Sequence, residues 1–174
     1  SAALNNEYKQ LCSALENAGI GYIPLKGAVL RQYYSEPWMR TSCDIDILVN
    51  PCDLDDACAL MTEKLLYKFD TRTLHDVSLY SQSKTHLELH FNLFESDDEG
   101  LNRVLSRIWD FSHAEKDGYK YELENDMFVV YHIAHIAKHF AGGGCGVRPF
   151  IDLWIAKNVM GYNEENVLSF LSEC

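Results

Sequence analysis

A chain of 174 residues, 47% hydrophobic and 24% charged, excludes a disordered or fibrous protein and leaves room for one sizeable core. A formal net charge of −11 argues against an exposed basic groove for nucleic acid. No apolar run approaches the roughly 20 residues of a membrane span, no charged-then-apolar signal peptide opens the chain, and six cysteines without a CxxC pair read as free thiols of a reducing cytosol.

In chain order, Leu4, Leu11, Ala14, Leu15 and Ala18 fall at helical spacing, and Gly19 and Gly21 stop that helix. Residues 22–25 read as a short strand, 28–34 as a helix and 35–43 as a loop. Residues 44–49 alternate polar and apolar, as a strand does. Asp53 is placed to cap a helix with one apolar stripe of Leu54, Ala57, Cys58, Met61 and Leu65. Strands are expected over 67–72, 77–82 and 85–93.

Ser96 and Glu99 have capping-box spacing ahead of a helix carrying Leu101, Val104, Leu105 and Ile108. Asp117-Gly118 between 111–115 and 119–123 signals a hairpin. Helices follow over 126–140 and 150–160, the second opened by Pro149, and Asn163 caps a last one. That pattern runs directly into Cys174, as expected of an N-terminal piece of a longer chain. The order of elements predicts an α+β fold: a sheet-based part over residues 1–95, then a hairpin and helical part over 96–174 that packs on it or continues the same domain.

The segment Asp44-Ile45-Asp46-Ile47-Leu48-Val49 is the most informative. Strand side chains alternate faces, so Asp44 and Asp46 project together while Ile45, Ile47 and Val49 enter the core. Two adjacent carboxylates repel each other, and a hard divalent cation such as Mg2+ removes that penalty; a solvated strand edge would carry them as well. Over 85–93 the alternation repeats, with His86, Glu88 and His90 opposite Leu87, Leu89, Phe91 and Leu93. If the two strands are neighbours, Glu88 completes a three-carboxylate site. Ahead of them, Lys26-Gly27-Ala28 reads as a turn into a helix, where backbone N–H groups favour an anion, and Lys26 and Arg40 add positive charge.

His132, His135 and His139 share one helix face, with Lys138 beside them. Three readings stay open: contacts to nucleotide phosphate by His135, Lys138 and His139, a zinc site with Asp152, or histidines hydrogen-bonded within the fold to Asp152, Glu88 or backbone. Arg148 and Asp152 have the spacing of an ion pair. Tyr33, Tyr34 and Trp38 either stack on a base or pack as core or lid.

Together Leu25-Lys26-Gly27, Arg40, Asp44 to Val49 and Leu87-Glu88-Leu89-His90 resemble the nucleotidyltransferase superfamily of the polymerase-beta type. Within it they are similar to a largely uncharacterised family with an LKG turn, an R…DIDLLV segment and an E/D-L-H strand. The resemblance extends through the histidine helix to Arg148-Pro149-Phe150-Ile151-Asp152-Leu153. It implies a mixed sheet flanked by helices, with Asp44 and Asp46 holding Mg2+ (or Mn2+) on the triphosphate of an NTP. It implies Glu88 as third acid or general base, and Lys26, Gly27, Ala28 and Arg40 near phosphate. The glycine-serine turn common in the superfamily is Gly27-Ala28 here, without the hydroxyl, and the loop over 29–43 is longer.

The expected function is therefore metal-dependent transfer of a nucleotidyl group to an acceptor hydroxyl of a small molecule or protein, in the cytoplasm and away from membranes. A non-catalytic nucleotide-binding module of the same fold is the second reading. A phosphohydrolase built on the histidines and Asp152 is the third.

Overall fold

The computed structural model of the protein describes residues 2–93, 98–116 and 118–174. It divides into two compact units: Ser1–Asn92 with Ala114–Glu122, and Leu93–His113 with Leu123–Cys174.

The first unit is built on a five-stranded mixed sheet. Helix α1 (Ala2–Ala18) leads through Gly19, at φ +71°, into strand β1 (Tyr22–Pro24). Helix α2 (Lys26–Leu30) tightens into a 3-10 turn over Arg31–Tyr33, and another such turn, Pro37–Met39, precedes strand β2 (Asp44–Val49). Helix α3 (Leu54–Ala59) widens into a π turn over Leu60–Lys64. Strands β3 (Lys68–Arg72), β4 (Asp76–Tyr80) and β5 (His86–His90) complete the sheet, in the order β1-β2-β5-β4-β3.

One pairing decides the chemistry. Strands β2 and β5 run parallel, while every other pair in this sheet is antiparallel. Parallel neighbours need a crossover, and the chain supplies it with α3 and the β3-β4 hairpin. The register sets Asp44 opposite His86, Asp46 opposite Glu88 and Leu48 opposite His90. Ile45, Ile47, Val49, Leu87 and Leu89 occupy the other face, packed with Val77 and Leu79 against Leu4, Leu11 and Leu15 of α1 and Leu54, Ala57 and Met61 of α3. A one-residue slip would bury the acids and expose the leucines, so this core holds the register. Burial of each such aliphatic side chain contributes about 1.5–3 kcal/mol.

Two local expectations need correction. The helix expected over 28–34 starts at Lys26 and turns 3-10 at Arg31. Asp53 stands at the start of α3 with φ −98° and ψ 0°, so its backbone is not extended and its side chain makes no cap hydrogen bond.

The second unit is helical: α4 (Glu99–Leu105), α5 (Asn125–Ala141), α6 (Arg148–Ile155), extended by a π turn over Ala156–Met160, and α7 (Glu164–Ser172). Ser96 of the expected capping box lies outside the described residues. The cap is Asp98, whose Oδ1 accepts the Leu101 N–H at 3.0 Å. Asn163 caps α7 as expected, accepting from Glu165 and Asn166. Gly100 lets the backbone at Cys174 approach; a Cβ there would stand 2.6 Å from the Cys174 Cα. Phe111 and Phe170 meet edge to face, with centroids 5.0 Å apart.

Strands β6 (Ser112–Ala114) and β7 (Tyr121–Leu123) form the two-stranded sheet expected around Gly118; Asp117 lies outside the described residues. No helix among the described residues is long and apolar enough to cross a membrane.

Candidate active site

The site lies within the first unit, on the sheet face opposite the leucine core. Parallel pairing aligns Asp46 with Glu88. The turn before α2 then aims a cation between them. The Leu25 N–H donates to the Asp46 carbonyl at 3.0 Å, which fixes the start of α2 beside β2. The next residue, Lys26, takes φ +43°, a left-handed conformation that costs a non-glycine residue about 1–3 kcal/mol. Its Nζ donates to Asp46 Oδ1 at 2.8 Å and lies 3.5 Å from Glu88 Oε2. Two carboxylates and an ammonium offset charges that would otherwise repel.

His90 closes the group. It is buried, with Nε2 3.5 Å from Asp46 Oδ1 and 3.4 Å from Glu88 Oε2. Burial opposes its charged form, but the hydrogen bonds to Asp46 and Glu88 prevail and hold its pKa above the ordinary value. The same hydrogen bond, outweighing burial and aided by Lys26, holds Glu88 well below the usual carboxylate range. Asp44, half-buried, is pushed up by burial and by the charge on Asp46. His86 is tied to the sheet, its Nε2 2.7 Å from Ser78 Oγ.

Among the described residues, Asp46, Glu88 and His90 offer donor atoms within 4.8 Å of one another. Carboxylate oxygens suit Mg2+ or Mn2+, and the imidazole is compatible with Mn2+. The Lys26 ammonium between the carboxylates shows that they accommodate positive charge, so the residues fit a divalent cation. Asp44 is on the same strand face but outside this tight group.

Beside Asp44 opens a cleft of about 260 Å³, lined by Tyr8, Ala28, Arg31, Gln32, Ser42 and Asp44 among others. Arg31 donates from Nη2 to Ser42 Oγ at 2.7 Å, from Nη1 to Asn5 Oδ1 at 2.5 Å, and from Nε to the Arg40 carbonyl at 3.2 Å. Arg40 is buried and donates to the Thr41 carbonyl at 3.1 Å. Burial first, then the charge on Arg40, lowers the pKa of Arg31. Gly27 matters through space rather than backbone freedom: a Cβ would lie 3.2 Å from the Cβ and Oγ of Ser42 and 3.7 Å from Arg40 Nη1. The Ser42 hydroxyl therefore stands beside the Gly27-Ala28 turn, where it accepts from Arg31.

The structure thus gathers Lys26, Gly27, Ala28, Arg40, Asp44, Asp46 and Glu88 in one unit. Sequence reasoning passed over Arg31 and Ser42 and gave His90 no role. Two signals pointed to His90: the alternation that puts it on the Glu88 face and its place in the Leu87-Glu88-Leu89-His90 motif. His135, Lys138 and His139 belong to α5 in the second unit. There His132 Nε2 is 3.3 Å from the Pro149 carbonyl and 4.0 Å from Asp152 Oδ2, which matches the reading of a histidine held within the fold. Trp38 is exposed, while Tyr33 and Tyr34 are half-buried.

The family described as uncharacterised nucleotidyltransferase matches the chain over residues 1–171. In three dimensions the chain is similar to the solution structure of the antibiotic-resistance factor ANT(2'')-Ia, with a TM-score of 0.70 and 8% identity, over 98% of this chain and 90% of that one. At that identity the likeness shows the fold, a mixed sheet flanked by helices and followed by C-terminal helices. No curated protein matches the chain in sequence.

Proposed function

The chain belongs to the uncharacterised nucleotidyltransferase family, and from that premise we propose that it moves an NMP group from an NTP to an acceptor hydroxyl with Mg2+ or Mn2+ bound on β2 and β5. The observation that carries the reading is the alignment of Asp46 with Glu88 across parallel strands, with the Lys26 ammonium between them.

Asp46 and Glu88 would hold the ion, with Asp44 and His90 beside them; bound there, it neutralises charge on the triphosphate. Glu88, kept ionised by His90 and Lys26, suits a ligand carboxylate. Arg31, Arg40 and the Ser42 hydroxyl, together with the N–H group of Gly27, bind the phosphates; the Ala28 N–H donates instead to the Leu25 carbonyl at 3.1 Å. The Arg31 contacts to Asn5 and Ser42 pre-set its guanidinium plane. The acceptor oxygen attacks the α-phosphorus, the bond to the bridging oxygen breaks, and pyrophosphate leaves. Asp44, at the edge of the cleft, takes the hydroxyl proton.

The test is calorimetry of ATP and GTP with Mg2+ on wild type and Asp46→Asn, paired with labelled-NTP transfer in cell extract. Asp46→Asn should weaken metal-dependent nucleotide binding by about tenfold or more and abolish labelling. Nucleotide binding indifferent both to metal and to Asp46 would refute the assignment.

A further inference from the structure

On the facing helices α5 and α6 of the helical unit, His132, His135, His139 and Asp152 fall into two pairs. His132 and Asp152 face each other in the interior. His135 and His139 lie one turn apart on α5, the first half-buried and the second exposed. Their Nε2 atoms are 3.0 Å apart, with ring centroids at 4.4 Å and planes at 75°.

Helical spacing brings such side chains near each other but does not aim both Nε2 atoms at one point. Here they converge. A divalent transition ion binds imidazole nitrogen at about 2.0–2.1 Å, so two nitrogens at a right angle about it are separated by about 2.9 Å, and at a tetrahedral angle by about 3.4 Å. The observed 3.0 Å lies inside that window.

We propose that His135 and His139 form a two-point chelate for a borderline divalent transition ion of the Zn2+, Ni2+ or Cu2+ class. The ion takes the place of the hydrogen that the two rings share: both Nε2 lone pairs turn to it, and both rings carry their proton on Nδ1. The all-imidazole donor set separates this pair from Asp46 and Glu88, whose oxygens prefer harder cations, and sets the affinity order with Cu2+ and Ni2+ high. Two protein ligands leave coordination positions open for water or a further ligand. The net charge of −11 favours cation capture. The inference does not rest on nucleotide transfer.

Ni2+ is titrated into the full chain by calorimetry in millimolar Mg2+, using wild type, His135→Asn, His139→Asn and Glu88→Gln. Paramagnetic broadening of histidine ring signals in the wild type gives a readout independent of any variant's folding. Wild type and Glu88→Gln should share one ion site on α5, whatever Glu88→Gln does to ion binding at the sheet acids; each histidine variant should lose about tenfold or more in affinity at that α5 site, and broadening should centre on α5. The proposal is overturned if wild type shows no saturable binding, if the histidine variants bind unchanged, or if Glu88→Gln alone loses the ion.

Discussion

The two units each bring titratable side chains into contact, but by different means. In the sheet unit, Asp46 and Glu88 are 42 positions apart in the chain and meet because β2 and β5 pair in parallel, with Lys26 delivered by a strained turn. In the helical unit, His135 and His139 meet because they are one turn apart on a single helix. The first arrangement is buried, charged and dependent on a core that locks strand register. The second is local and nearer the surface, and survives whatever leaves α5 helical. Long-range register gives a site that is pre-organised, whereas local spacing gives a site that is easily formed and easily changed.

The largest effect follows from the core. Leu89→Ala removes a fully buried side chain that pairs with Ile47 and Val77 beneath the acids, and should cost about 2–5 kcal/mol. Leu168→Ala, on the exposed side of α7, should stay within about 0.5 kcal/mol. Urea unfolding with unchanged slope checks both. Equal losses at the two positions would break the contrast.

Next comes Lys26. Its ammonium already offsets Asp46 and Glu88, so a divalent ion must compete with it. Lys26→Met leaves two carboxylates whose repulsion only an added cation relieves. Mn2+ affinity, read by its paramagnetic signal without nucleotide, should rise about tenfold, equivalent to about 1.4 kcal/mol. Nucleotide affinity should fall in the same variant as a positive charge is lost. Mn2+ binding unchanged or weakened would mean that the ammonium and the ion do not share the carboxylates.

Much of the sheet unit was legible because alternation reports faces directly. Asp44 and Asp46 on one side of β2, and Glu88 and His90 on one side of β5, follow from period two. Their meeting does not, since nothing in either segment states that a hairpin and α3 cross between parallel neighbours. Lys26 was read as a phosphate ligand; a positive φ, invisible in residue type, turns it towards Asp46. Arg31 falls within the helix expected over 28–34, and its partners, Asn5 on α1 and Arg40 and Ser42 in the following loop, are set by long-range packing that residue type does not state. Asp98 took the capping role that Ser96 and Glu99 suggested, because several acids and serines within a few residues can each reach a free N–H.

The smallest effect tests how tightly α1 is held to the sheet. Cys12 sits on α1, half-buried beside Tyr8 and Tyr22. Burial pushes its thiol pKa up, and the two tyrosines oppose that only in part. Cys43, in the loop before β2, is exposed. Because the thiolate is the nucleophile, access and deprotonation act in the same direction. Iodoacetamide at pH 8 should label Cys43 first and Cys12 about tenfold or more slowly, measured by peptide mass spectrometry. Low urea should leave the Cys12 rate nearly flat until global unfolding, since α1 contributes Leu4, Leu11 and Leu15 to the core that fixes the register of β2 and β5. Cys12 labelling as fast as Cys43 in native buffer would show α1 opening independently of the sheet, and the register of β2 and β5 would then not depend on α1.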